Sequence, residues 1–119
     1  MTTLTETRGA AFFMVSEANG HRSREEGTLT AGENLETGTI LGLVTATNKF
    51  VAHDPAASDG SEVVAGVLYD AVDATDGDVQ MAYIARDAEV LGAELVYAAG
   101  GVVADIDATL ASTLNIIVR

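Results

Sequence analysis

Between residues 16 and 72 the apolar residues of this chain come only in short, largely β-branched bursts. TILGLV at 39–44, FVA at 50–52 and VVAGVLYDAV at 63–72 are separated by clusters of Gly, Asn, Asp and Ser. Bursts of that length bounded by turn formers read as strands and turns. Trp is absent and only six aromatics occur, Phe12, Phe13, Phe50, Tyr69, Tyr83 and Tyr97, so Val, Ile, Leu and Ala must fill the core. At 119 residues the chain suits one domain. A domain of this size buries roughly two thirds of the surface its unfolded chain exposes, so it gains from oligomerisation.

Along the chain, residues 33–37 form a polar turn before Gly38, and TILGLVT at 39–45 reads as a buried strand in which Gly42 marks a bulge or a close approach. Asn48 falls in the turn to a strand at 49–53. Pro55, the only proline, and Ser58-Asp59-Gly60 then make a loop. The longest strand candidate is 62–72. DATDG at 73–77 supplies a turn, and 79–84 returns as the second arm of a hairpin. After Gly100-Gly101 the pattern changes. Ile106, Leu110 and Leu114 recur every four residues, which predicts one short helix with Asp105 or Asp107 capping its amino end, Asn115 closing it and residues 116–118 as a terminal strand. The predicted fold is mainly β, short strands and hairpins with about one C-terminal helix.

The N-terminus is different. Residues 1–9 are polar, Thr-rich and aperiodic, and are expected to be disordered in the free protein. The apolar hexamer AAFFMV at 10–15 follows at once and is either a core strand or a segment that docks elsewhere. The residues alone favour the strand. Six apolar residues are too few for a secretory signal, and no stretch has the apolar length of a bilayer span, so the product is expected to start in the cytoplasm.

Charge is placed unevenly. Residues 1–24 carry three bases, Arg8, Arg22 and Arg24, against two acids, a balance of +1; residues 25–119 carry three, Lys49, Arg86 and Arg119, against sixteen, a balance of −13. A body this acidic repels phosphate backbones and anionic bilayers, so neither nucleic acid nor membrane is an expected partner. Its acidity is best read as solubility at high local concentration.

Chemistry is sparse. With no cysteine there are no disulfides, thiolate nucleophiles or cysteine metal sites. His21 and His53 are the only histidines, 32 positions apart, and read as loop residues rather than zinc ligands. Asp73, Asp76 and Asp78 miss the spacing of a calcium loop and read as a hairpin turn. His53-Asp54 with Ser58 or Ser61 lacks the Gly-x-Ser-x-Gly elbow of a hydrolase. Lys49, the only lysine, sits in no phosphate-cradling loop, and Asp87 with Glu89, two apart, do not form a pair facing across a cleft. No catalytic residue, cofactor or metal is expected, and the protein is expected not to be an enzyme.

Taken in order, SEANGHRSRE at 16–25, ETGTILG at 36–42, NKFVAHD at 48–54 and SDGSEVVAGVL at 58–68 resemble the phage head decoration proteins, the family of phage lambda decoration protein D. The likeness spans roughly residues 10–119. It implies a β-clip-like fold, a homotrimer, and binding at local threefold positions of the expanded head, on the outer surface of the capsid, with the major capsid protein as partner. It also implies an N-terminal arm that is mobile until it meets the capsid, which divides the chain into an arm at 1–16 and a body at 17–119. Ala11, Phe12, Phe13, Met14, Val15 and Ser16 are then the expected capsid-binding residues, adding as a strand to a sheet edge of the shell. The lambda protein itself has a start richer in Pro and Gly than AAFFMV and SEANGHRSRE. The competing reading is a β-rich module that binds glycan or cell surfaces from a virion. Such a module would expose an aromatic cluster, for which Tyr69, Tyr83 and Tyr97 are the only candidates.

Overall fold

The computed structural model describes residues 9–20 and 22–119; residues 1–8 of the expected tail, and His21, lie outside the described residues. In chain order the elements are β1 (Met14–Glu17), β2 (Arg24–Leu29), β3 (Asn34–Leu35), β4 (Ile40–Val44), β5 (Lys49–Ala52), β6 (Val64–Leu68), β7 (Val72–Asp73), β8 (Val79–Ile84), β9 (Ala88–Val90), a 3-10 turn (Gly92–Glu94), α1 (Val103–Leu114) and β10 (Ile116–Val118). The protein is mainly β with one short C-terminal helix, as the sequence predicts.

Five strands close into a barrel in the order β2-β5-β4-β6-β8. Each gives one side chain to a common cluster: Leu29, Phe50, Leu41, Leu68 and Met81, joined by Ala74 from outside the strands. Neighbouring positions point the other way, because successive side chains of a strand alternate between faces. Ile40, Val67 and Ile84 therefore lie on the barrel's outer face, where they meet Phe13, Ala88, Val90, Ile106, Leu110 and Ile116 in a second cluster. That cluster joins the barrel to α1 and to a three-stranded sheet of order β1-β9-β10. A two-stranded ribbon, β3 with β7, completes the pairing.

Local chemistry accounts for the turns. Asn48 takes a left-handed φ of 56° at the end of the β4–β5 connection, and Asn115 takes 53° as the C-cap of α1, with its N–H bonded to the Leu110 carbonyl. Both are positions where Asn tolerates a conformation that strains other side chains. Gly42 serves both roles foreseen for it. The β4–β6 register slips between Leu41 and Gly42, and a Cβ there would stand 2.4 Å from the Ser61 carbonyl oxygen.

Three local expectations need correction. The stretch 62–72 is not one strand: β6 ends at Leu68, and the chain leaves the barrel to pair β7 with β3 before returning as β8. β6 and β8 are antiparallel neighbours over only two residue pairs, while the six-residue ladder of β8 is with β2. Neither Asp105 nor Asp107 caps the helix, which begins earlier, at Val103 after Val102, without a side-chain cap; Asp105 lies in the first turn. Asp107 instead accepts the Tyr97 hydroxyl proton at 2.5 Å. His53 lies outside the strands, as expected, directly after β5, where it is nevertheless 5% exposed and donates from Nε2 to the Glu62 carbonyl at 3.0 Å.

The close approach at Gly42 is testable. Gly42→Ala should cost on the order of 1–3 kcal/mol in urea unfolding, while Gly77→Ala, where an added Cβ meets nothing within 4 Å, should change stability little.

Candidate functional site

Residues 9–17 are the segment for which a docking role is expected, and the structure gives each of them a distinct environment. Residues 10–13 make a turn in which Ala11 has a φ of 56° and donates its N–H to the Tyr69 carbonyl at 2.7 Å. Phe13 ends the turn with its ring 0% exposed inside the outer cluster, and its carbonyl accepts from Leu91 N–H at 2.7 Å. Met14 pairs with Val90 and is partly buried against the same cluster. The ladder slips at Val15 and resumes with Ser16 opposite Glu89 and Glu17 opposite Ala88.

Side chains fasten this short strand further. Ser16 Oγ donates to Glu89 at 2.7 Å, and Glu89 also receives the Arg119 guanidinium. Those two contacts, the serine hydroxyl first, hold the Glu89 carboxyl below the usual carboxylate range. Glu17 pairs with Arg24, whose guanidinium lies 4.5 Å from the centre of the Tyr69 ring. Hydrogen-bonded and stacked in this way, Arg24 fixes the end of β1 to the start of β2.

Of the six expected docking residues, then, Phe13 is a core residue, Met14 half-belongs to the core, and Ala11 and Ser16 are committed to backbone and carboxylate partners. Phe12 at 53% and Val15 at 49% exposure remain on the surface, and Leu91 at 39% lies on the neighbouring chain segment. In this structure Phe13 and Met14 pack into the outer cluster and β1 is paired with β9. β1 is nevertheless the edge of its sheet, with β9 on one side and no strand on the other among the described residues. An edge strand presents a row of main-chain donors and acceptors that another chain can extend. The arrangement offers main-chain pairing flanked by apolar side chains.

The other candidates are occupied by structural work. Ser61 Oγ donates to Asp59 at 2.6 Å, not to His53, whose Nε2 is turned to the Glu62 carbonyl. Asp73 accepts from the Thr75 N–H and hydroxyl as a turn, while Asp78 binds the Ala31 N–H and the Lys49 ammonium. Asp87 holds Asn115 Nδ2 at 2.9 Å and Arg22 at 3.4 Å. Among the described residues no three His, Cys, Asp or Glu side chains gather within reach of one metal ion. All three tyrosines are half-buried: Tyr69 lies beneath Arg24, Tyr83 has its ring centre 4.6 Å from that of Phe50, and Tyr97 is bonded to Asp107. They form no exposed aromatic platform. Burial first, and the Asp107 hydrogen bond second, push the Tyr97 hydroxyl well above the ordinary tyrosine value.

One residue inside the SEANGHRSRE stretch escaped the sequence reading. Ser23 is fully buried, donating to the Asp87 carbonyl at 2.7 Å and accepting from Ala18 N–H at 2.8 Å. It pins the β1–β2 loop to the start of β9. A serine within a polar run gives no sign of this.

Compared with known families, the chain matches the sequence model of the bacteriophage lambda head decoration protein D family over residues 3–116. It belongs to that family. No curated protein matches the chain. Membership in the head decoration proteins brings with it a role in decorating the phage capsid and a place in the virion head, and the family is structural rather than catalytic. The short strands and turn clusters that carried the resemblance are the β2–β6 portion of this decoration protein's barrel and the loops around it.

Two outcomes follow. Phe13→Ala should lower stability by about 3–5 kcal/mol, while Phe12→Ala leaves the melting temperature nearly unchanged, both read by thermal unfolding. Lowering the pH should also destabilise the fold. Glu89, Asp59, Asp73 and Asp78 all have folded-state pKa values below their usual ones. Their contribution is full above the unfolded values of about 4 and is lost as pH falls through the lower folded values, so the melting temperature should be lower at pH 3 than at pH 6.

Proposed function

We propose that this protein cements the phage shell: a homotrimer that binds the major capsid protein at local threefold positions on the outside of the expanded head and stabilises it against the pressure of packaged DNA. The observation that carries the reading is β1, an edge strand with Phe12 and Val15 exposed beside it, in a chain that belongs to the head decoration family.

The mode of docking we infer keeps the body intact. β1 stays paired to β9 and Phe13 stays in the core, while the outer edge of β1 receives a strand of the capsid protein, and Phe12 and Val15 cover apolar side chains on the shell. Main-chain pairing of this kind supplies affinity, and the flanking side chains supply selectivity. Because β1 is already ordered, little conformational entropy is lost in its docking. One such edge is short, four residues, so a single contact binds weakly. Three on one rigid trimer gain an effective-concentration advantage on the order of 10² or more. A matching trio of capsid edges that exists only in the expanded arrangement makes binding selective for that state, and binding then stabilises it by linkage. The acidic body suits a protein held at high density on a shell, where like charge discourages stacking of one trimer on another.

Light scattering should return the mass of a trimer, and the protein should co-sediment with expanded heads and not with unexpanded ones. Phe12→Asp with Val15→Asp should cut head binding at least tenfold with the melting temperature preserved. Undiminished binding by that variant would remove β1 from the interface. Deleting residues 1–16 is not a clean test, because it takes Phe13 and β1 from the body.

A further inference from the structure

A separate feature lies at the amino end of α1. The chain from Pro55 to Val64 and the start of the helix enclose a groove of about 360 Å³ that no residue of β1 or β9 lines. Its walls mix apolar residues with His53, Glu62, Asp105 and Thr109, and two of the apolar ones are among the most exposed large apolar side chains of the described residues: Val63 at 57% and Val102 at 59%. Val103, next in the helix, is 48% exposed. Pro55 and Ile106 complete the wall. The charged residues along the groove are both acids, Glu62 and Asp105, and neither has a basic partner among the described residues. His53 also lines it. Since its Nε2 faces a carbonyl, which only accepts, that nitrogen carries the hydrogen, and in the neutral ring Nδ1 is left as a buried acceptor without a donor.

The walls, the two carboxylates and the unmet acceptor ask for the same chemistry, against the partial positive charge at the amino end of α1. An apolar wall suits an aliphatic stem, carboxylates suit a positive head, and an unmet acceptor suits an N–H donor. Lysine and arginine combine a buried stem with a charged donor tip. We propose that this groove receives an arginine or lysine side chain presented by a different protein. Among the described residues the basic side chains Arg22, Arg24, Lys49, Arg86 and Arg119 each lie within 3.4 Å of a carboxylate, so none of these is free to fill the groove. The net charge of −12 draws a basic segment toward the surface, and the groove then selects the side chain.

The test is a titration of the isotopically labelled full chain, followed by amide and histidine ring NMR signals, with N-acetyl-arginine methylamide. The norleucine and glutamate equivalents serve as neutral and acidic controls. Saturable shifts confined to Val63, residues 100–103 and the His53 ring, with the arginine probe bound more tightly than norleucine and glutamate without effect, are expected. Asp105→Asn, on an exposed first-turn position that caps nothing, should weaken the arginine probe about threefold and leave norleucine unchanged. No saturable shift overturns the proposal. So does equal binding of arginine and norleucine, which would make the groove merely apolar, or concentration-dependent shifts of the same residues without probe, which would make it a self-contact. None of these outcomes depends on capsid binding, so failure here and failure of the cement reading are separable.

Discussion

The antiparallel ladder between β2 and β8 holds the architecture together. It runs from Arg24 opposite Ile84 to Leu29 opposite Val79, and without it β2 would be paired with the rest of the barrel only at Leu29–Phe50, with β5. The barrel has no covalent cross-link to fall back on, since the chain has no cysteine. Closing the barrel presses Leu29, Phe50, Leu41, Leu68 and Met81 together inside, and the same backbone alternation turns Ile40, Val67 and Ile84 outward. The outer cluster, and with it the seat of α1 and of the β1-β9-β10 sheet, exists because the inner one does. The ladder is tied by Arg86 to Glu25 on one face and by Gln80 to Glu26 on the other, contacts that set register more than they add stability.

That strand was the hardest to read in the sequence. REEGTL has two adjacent glutamates and one buried residue, Leu29, and its stability lies in backbone pairing with β8, which no local pattern reveals. The two-residue strands β3 and β7 are equally silent, being defined only by each other. By contrast, β4, α1 and β10 were legible because their burial is periodic: Ile106 and Leu110 fall on one face of the helix, and Ile116 follows directly after an Asn in the left-handed conformation. The helix start was misjudged because Asp is a good cap in general, whereas here the chain enters from Gly100-Gly101 with no polar side chain at the cap and Asp107 is drawn away by Tyr97.

The N-terminal segment shows how two sound arguments can divide one stretch. Apolar composition favoured a core strand and family likeness favoured a docking arm, and neighbouring residues answer to different demands. Phe13 and Phe12 are adjacent, yet the turn at Ala11 sends one ring fully into the core and leaves the other half in solvent. No one-dimensional pattern separates them, because a turn rather than a regular period decides which side each takes. Which side chains of this segment reach the surface was therefore not legible in the sequence.

The order of pairing in the three-stranded sheet bears on how the protein is made. Its central strand, β9, has a neighbour from residues 14–17 on one side and one from residues 116–118 on the other. Every barrel strand has left the ribosome once Ile84 has emerged, so the barrel can close while α1 and β10 are still held within the ribosome. Until then β9 is bare along one side, and Ile40, Val67 and Ile84 lack the cover of Ile106, Leu110 and Ile116. A nascent chain with Ile84 outside and α1 still held back would carry a finished barrel with a sticky flank, and it is at that stage of synthesis that a chaperone would find something to hold.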